Sequence, residues 1–500
     1  MKKKSNSQIH MVIYVLIIAF VAICTTSKVF PNDIFFTIPC GQNILDNSFS
    51  TTETLTYHTG LTFIDVRWVF DVIMTIIHNS FGLNGIYIST IVFFFFLFES
   101  IFITLNKLYK KTNISFLITL VSSYFIHVYI VPRAQIMSAL IFIWEYYCIL
   151  QLLRSNKKRY YISLILLSIA IVNVHATLYP IFLLLFLPYI AEFIISKLNI
   201  SNKFKKISFD NSKYYKNLIV LFLIISLMGF VSPYPGTAYI VMFKTMVGKT
   251  NRTINEMQLI FGTMLLYMWF LYILIFSVLG AFKTHIKANN IFLITGLSIM
   301  AIYANRGFLI FVIIANFPLC EVLVSCYNCR YYLIFKEKIP KLDFILKFIY
   351  CLICLSILVK SFVYLYENVF KYEYISDIYE PVYATEYLLN EIDLDDYVLY
   401  NEFNYGSYLE YNGIKAFMDS RAEVFEKPYN DVEIMHDSNK MEFAKDYEEL
   451  KPYVDKYHFN LFLVNKDFNI FNILMDNPEY FELLHLDDNF AIFKLVDDKK

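Results

Sequence analysis

The stretch VFPNDIFFTIPCGQNILDNSFSTTETLTYHTGLTFIDVRWVFD, Val29 to Asp71, follows directly on the first hydrophobic segment of the chain. It is polar, carries acids and is rich in aromatic residues, whereas most of the sequence around it is apolar. A connection of roughly 40 residues is longer than joining two membrane spans requires, and loops of that length carry function or are disordered. The aromatic content and the scarcity of Ser, Gly and Pro runs argue against disorder.

Outward from this loop, composition sets the class. Of 500 residues, 57% are hydrophobic and 17% charged, with mean hydropathy +0.50, which excludes an ordinary soluble domain and indicates a polytopic membrane protein. The zero net charge conceals a segregation. Lys371 to Lys500 holds 29 acids against 12 bases, and the remainder holds 14 against 31. A basic membrane body and an acidic soluble tail follow. The domain expectation is therefore a transmembrane domain over 1–370, with outer loops at 27–83 and 232–261, and an extracytoplasmic α/β domain over 371–500.

Spans need about 20 apolar residues each, and eleven are read, at 9–26, 84–105, 114–131, 136–153, 160–173, 177–195, 217–232, 261–282, 290–304, 307–325 and 344–366. Ile9 to Thr26 lacks a small-x-small cleavage site, so it is a span and not a leader, and Lys2, Lys3 and Lys4 place the N-terminus in the cytoplasm. On this topology the cytoplasmic segments hold 22 Lys and Arg and the outer loops seven, a bias in the sense expected for the plasma membrane. Trp68 to Phe81 is too short to span and is read as an interfacial helix. The odd number of spans puts the tail outside with the loops at 27–83 and 232–261, and these three pieces are expected to meet above the membrane.

The tail reads as alternating strands (397–400, 415–418, 461–464, 490–496) and helices (382–389, 440–457). It has no Gly-rich phosphate loop, no nucleophile elbow and no nucleic-acid-binding motif. The pairs Cys326/Cys329 and Cys351/Cys354 have CxxC spacing, but the second lies in the apolar run FIYCLICLSILV, which is no place for a hydrated zinc site. The tail contains no cysteine and must fold without disulfides.

Several short motifs carry a resemblance that runs over nearly the whole chain. They are DIFF at Asp33, RWVFD at 67–71, RAQ at 133–135, NVH at 173–175, TINE at 253–256, NEFNYGSYL at 401–409 and FMDSR at 417–421. Together they resemble a large family of bacterial multi-spanning proteins similar to the GT-C superfamily, glycosyltransferases that take sugar from polyprenyl-phosphate carriers on the outer face of the membrane. The resemblance implies a membrane hexosyl- or pentosyltransferase acting on a glycan, lipid or protein acceptor, by inverting single displacement with an outer-loop Asp as base. Where the family pattern has His before the Trp, this chain has Arg67, so no His-dependent step carries over.

The resemblance makes Asp33, seven residues past the first span, the candidate base, with Asp65, Asp71 or Glu256 as a second carboxylate. A pair of them also suits a divalent cation, Mg or Mn. Each has a plainer reading, Asp33 as part of a helix cap with Asn32 and Asp71 as the i, i+4 partner of Arg67. A departing phosphate needs cations at the outer boundary. Arg133, Arg306, Lys244 and Arg67 lie there, though span-end cations also snorkel to lipid. His175 and His58, with Asp419 and Arg421 of an exposed Asp-x-Arg, are acceptor-binding or structural. Glu99, Glu145, Glu192 and Glu321 are expected to pair helices. Two other functions fit the same features, an O-antigen-type polymerase or ligase relying on arginines, and a transporter or flippase of lipid-linked glycans. No inverted repeat or paired broken helices favour transport.

Overall fold

The computed structural model describes residues 2–198, 207–209, 213–247, 258–281, 286–326, 334, 337–339 and 341–496. Contacts divide the chain into two units. The first comprises Met1–Ser27, Tyr87–Met242 and Asn251–Lys371, and the second Lys28–Ile86, Phe243–Thr250 and Tyr372–Lys500.

The first unit is helical. Each of the eleven stretches read as spans lies on a helix: α1 (Lys2–Thr25), the later part of α3 (Trp68–Tyr109), α4 (Thr112–Phe125), α5 (Gln135–Ser155), α6 (Lys158–Val174), α7 (Tyr179–Leu184) with α8 (Leu187–Lys197), α9 (Tyr215–Met228), α11 (Met264–Ala281), α12 (Ala288–Tyr303), α13 (Gly307–Cys326) and α14 (Leu342–Lys371), while α10 (Thr237–Val247) lies in a stretch read as an outer loop. Among the described residues, six helical stretches are long and apolar enough to cross a membrane, and four shorter apolar helices accompany them. The outward surface of α14 carries Phe344, Phe348, Leu352, Leu355, Val359 and Phe362, all exposed. An apolar face of that extent suits lipid and not water, so the chain is a multi-pass membrane protein.

Polar groups within these helices are matched to one another, as their desolvation requires. Glu192 accepts from Tyr215 and from Asn289 Nδ2 (2.7 Å). Glu321 pairs with Lys287 at 3.1 Å, and Asn316 donates to Ser122 at 2.8 Å. Glu192 and Glu321 therefore pair helices, as expected. Glu145 is buried, and neither of its oxygens has a hydrogen-bond partner.

The second unit is built around α2 (Asp33–Asn47), the first 14 residues of α3 and the tail. The tail holds a four-stranded sheet, β3 (Leu399–Asn401), β4 (Leu461–Asn465), β5 (Phe481–Leu486) and β6 (Phe490–Leu495), in the order β3-β4-β6-β5. Strands β1 (Ile207–Ser208) and β2 (Ile286–Lys287) form a separate parallel pair in the first unit. In the tail, β3 and β4 are parallel and the other pairs antiparallel. Leu399, Leu461, Leu463, Phe490 and Ile492 of the sheet pack with Ala384 and Leu388 of the helix Val382–Glu391 and with Tyr405 and Leu409.

Two details of the tail depart from the sequence pattern. Lys415–Met418 is not a strand, because the Asn401 side chain takes its backbone groups: Phe417 N–H donates to Oδ1 and Nδ2 donates to Met418 O, both at 2.8 Å. Ala416 makes only an isolated bridge with Thr56. Strand β5, which the pattern did not reveal, carries a register shift between Leu483 and His485 that breaks its alternation.

Two glycines fix how α2 meets α3. A Cβ on Gly41 would lie 2.2 Å from Thr75 Oγ1 and 2.4 Å from Asp71 O, so only a hydrogen at Cα permits this approach. At Gly82 the backbone of α3 leaves helical geometry, with φ 62° and ψ −158°, a conformation open essentially to glycine alone. The helix that begins at Trp68 thus continues into the apolar stretch, with its break one residue beyond the interfacial segment read from sequence. Gly41→Ala is expected to lower stability by about 1–3 kcal/mol through overpacking. Thr75→Ala will not rescue it, since the Asp71 carbonyl remains. Gly82→Ala costs about 1–3 kcal/mol from backbone strain alone, as nothing lies within 4 Å of its Cβ. Thermal unfolding in detergent checks all three.

Candidate functional site

Within the second unit, one face of α2 presents Asp33, Phe36, Thr37 and Cys40, positions i, i+3, i+4 and i+7 of a helix. Two arginines meet this face.

The first is Arg67, from the turn that leads into α3. Its Nη2 donates to Thr37 Oγ1 at 3.0 Å, its guanidinium lies 4.2 Å from the Phe36 ring centre, and its Nε is 3.4 Å from Asp71 Oδ1. Asp65 Oδ1 accepts from its backbone N–H at 3.0 Å. Burial opposes the charge of Arg67, but Asp71, Asp33 and Asp65 together hold it protonated above its ordinary range. Burial raises Asp65 and lifts Asp71 well above the usual carboxylate range, against the pull of Arg67. Asp71 is fully buried. Asp33, in the first turn of α2, keeps partial solvent access.

The second is Arg421, from the tail, only 2% exposed. Its guanidinium forms a bidentate pair with Glu53, Nη1 to Oε2 at 2.8 Å and Nη2 to Oε1 at 3.1 Å. Nε donates to Asp419 Oδ2 at 2.8 Å, Nη2 donates to the same oxygen, and Nη2 donates to Glu410 Oε1 at 3.3 Å. Nη1 also reaches Cys40 Sγ at 3.9 Å, and the guanidinium lies 4.7 Å from the Phe63 ring centre. Arg421 overcomes the effect of burial to hold the Asp419 carboxyl below its ordinary range, while burial and the neighbouring Asp419 push Glu410 well above it.

The sequence expectations fall out as follows. Asp33 and Arg67 share the α2 face, and Asp71 pairs with Arg67 as its i, i+4 spacing suggested. Asn32 occupies the N-cap but makes no cap hydrogen bond with its side chain, because its backbone is in the αR region (φ −56°, ψ −25°) and not the extended region that capping uses; its Nδ2 donates to Asn404 O at 3.3 Å. Asp419 and Arg421, expected to be exposed, are buried, since Glu53 and Phe63 of the long loop cover them. His58 is tied to Phe417 O through Nε2 at 2.8 Å amid Tyr57, Phe425 and Tyr457, and burial lowers its pKa. Lys244 Nζ donates to Tyr429 O at 3.5 Å and lies over the Tyr429 ring. Glu256 lies outside the described residues.

In the first unit, Arg133 precedes α5 and Arg306 precedes α13. Their loops are joined where Tyr129 OH donates to Asn305 O at 2.7 Å, and Ser27 N–H closes onto Ile130 O at 3.2 Å. His175 caps the end of α6 and shares a hydrogen bond of 3.1 Å between Nδ1 and Ser138 Oγ. Among the described residues, no group of three or more His, Cys, Asp or Glu side chains is arranged to hold a metal ion. The described carboxylates around α2 have arginine guanidiniums as their countercharges.

Asp65, a candidate second carboxylate, lies beside Arg67, whereas Glu53 and Glu410 were not singled out by motif. Only the burial of these two beside an arginine marks them, and sequence spacing carries no trace of that.

The raised Asp71 has a consequence for stability. Its acid form is favoured in the fold, so its contribution is complete below the ordinary value of 3.8 and is lost as pH rises through the raised folded value. Asp71→Asn, which keeps the shape and removes the titration, is expected to flatten the fall in unfolding temperature over that range. Arg67→Met, which strands the buried acids, is expected to cost about 3–5 kcal/mol. Melting curves from pH 4 to 8 check both.

No protein family model matches the sequence, and neither does any curated protein. Solved structures do. The apo Archaeoglobus fulgidus oligosaccharyltransferase superposes with a TM-score of 0.60 at 9% identity, covering 91% of this chain and 69% of that one. The same enzyme in complex with Zn and sulfate gives 0.56 at 10% identity, over 90% and 68%. ArnT from Cupriavidus metallidurans, bound to undecaprenyl phosphate, gives 0.55 at 9% identity over 99% of this chain and 98% of that one. Both proteins are GT-C superfamily members, and the resemblance read from the motifs is met at the level of fold.

Proposed function

We propose that this protein is a membrane glycosyltransferase that moves a hexosyl or pentosyl group from a polyprenyl-phosphate carrier to an extracytoplasmic acceptor. The observation that carries this reading is the fold shared along almost the whole length of both chains with ArnT, whose structure holds undecaprenyl phosphate. The oligosaccharyltransferase, seen elsewhere tethered to an acceptor peptide, shares the fold too and supports the same class of chemistry.

In the proposed reaction the acceptor hydroxyl gives its proton to the Asp33 carboxylate as its oxygen attacks the anomeric carbon. The bond from that carbon to the phosphate oxygen breaks, and polyprenyl phosphate leaves with inversion at carbon. Asp33 suits this role better than Asp71, because a base must reach the hydroxyl. Asp33 has solvent access at the start of α2, whereas Asp71 is buried against Arg67. Arg133 and Arg306, on loops joined through Tyr129 and Asn305, are proposed to receive the donor phosphate, for which guanidinium geometry is apt. No step is routed through a metal ion.

Asp33→Asn is expected to lower kcat for transfer from a polyprenyl-phosphate sugar by 10²–10⁴-fold, the range for general-base help, without loss of folding. Full activity in this variant overturns the role of Asp33. Arg133→Ala and Arg306→Ala are expected each to raise KM for the lipid donor about tenfold or more, with the acceptor KM unchanged. Transfer kinetics with radiolabelled donor in proteoliposomes read both, and glycan mass spectrometry with and without the protein identifies the product.

A further inference from the structure

The FMDSR segment of the tail plays no part in the reaction just described, yet its Asp419 and Arg421 join Glu410 and Glu53 in a deeply buried charged cluster of the second unit. Arg421 lies 368 residues from Glu53 in sequence and is 2% exposed, and Asp419, Glu410 and Glu53 are buried with it. A residue so enclosed has no surface to offer an acceptor sugar or peptide. What it touches instead is α2: Nη1 reaches Cys40 Sγ at 3.9 Å, and the guanidinium lies 5.8 Å from the Phe36 ring centre. Cys40 and Phe36 share one helical face with Asp33, two turns and one turn away from it respectively.

We infer that Arg421 is a positioning residue, held by Glu53, Glu410 and Asp419, that fixes the rotation and height of α2 and thereby the direction of the Asp33 carboxylate. Each of its donors is committed. The bidentate pair with Glu53 ties it to the long loop, Asp419 orients its Nε edge, and Glu410 takes the remaining Nη2 direction. A carboxyl group displaced by one ångström at a reacting centre costs about a hundredfold in rate, so a helix held this way makes the tail a requirement for turnover without giving it any contact with substrate. The inference rests on the proposed role of Asp33 for its kinetic consequence, but its structural content stands apart from that role.

The test uses the full chain in detergent or proteoliposomes. Alkylation of Cys40 by a maleimide, read by peptide mass spectrometry, reports whether α2 stays seated. Arg421→Met keeps bulk and removes the charge, and is expected to speed Cys40 labelling at least tenfold. Arg421→Lys, which retains one charge but no fork, is expected to fall between. Glu53→Gln keeps Arg421 with two of its three acids, and serves should Arg421→Met fail to fold. In transfer assays these variants are expected to lose kcat while both KM values stay within about twofold. Cys40 labelling as slow in a folded Arg421→Met or Glu53→Gln variant as in the unaltered protein overturns the inference. So does a rise in acceptor KM at constant kcat, which makes Arg421 a binding residue. Faster labelling together with an Asp33→Asn variant of full activity keeps the positioning of α2 and removes only the base.

Discussion

A guanidinium out of reach of water is tolerated only where carboxylates meet it in good geometry, because the desolvation of each charge costs several kcal/mol and hydrogen bonds must offset it. Arg421 satisfies that condition with three acids from three separate segments, Glu53, Glu410 and Asp419. The condition reaches well beyond the residue itself. For Glu53 to arrive, the loop must run back over the tail, where it also bridges Ala416 through Thr56 and ties His58 to Phe417. For Asp419 to arrive, the segment before it must be held by the amide of Asn401 instead of joining the sheet. The irregular parts of this unit are irregular for the sake of one buried cation.

The two arginines on the α2 face divide the work differently. Arg67 is local: its partner Asp71 is one helical turn away and its other contacts come from the helix it abuts. Arg421 arrives from the far end of the chain. Between them Phe36 offers its ring, at 4.2 Å to one and 5.8 Å to the other. Thr37 and Cys40 provide one polar contact each. A short helix with Pro39 in its middle has little intrinsic stability, so these side-chain contacts and the close approach at Gly41 decide where it sits.

Much of this was legible in the sequence, and the failures have physical reasons. Length and hydropathy placed each stretch read as a span on a helix, since 20 apolar residues with few charges have few alternatives, but they left the helix Thr237–Val247 inside a stretch read as an outer loop. Asp33 was visible through the resemblance and its place in an otherwise unusual loop, and the i, i+4 relation of Arg67 and Asp71 follows from helix geometry. Glu53 and Glu410 were not visible, because an acid's role in a buried pair is set by a residue hundreds of positions away and leaves no periodicity. The Asp-x-Arg was read as exposed for the usual reason that charges avoid interiors, and that average gave way to a network of partners. Strand β5 was hidden by its bulge, and the strand expected at 415–418 lost its hydrogen bonds to the side chain of Asn401.

The separation of 368 residues between Glu53 and Arg421 also sets an order of events. Chains grow at about 5–20 residues per second, so Glu53 waits roughly 20–70 s after its own synthesis before its partner Arg421 exists. Arg67 and Asp71 can find each other at once, within a single helical turn. Glu53 has no such companion, and its side chain stays in water until the tail is made. The contact of Glu53 with Arg421 therefore closes late, and the half of the α2 face that Arg421 occupies is finished only when the ribosome has passed the end of FMDSR.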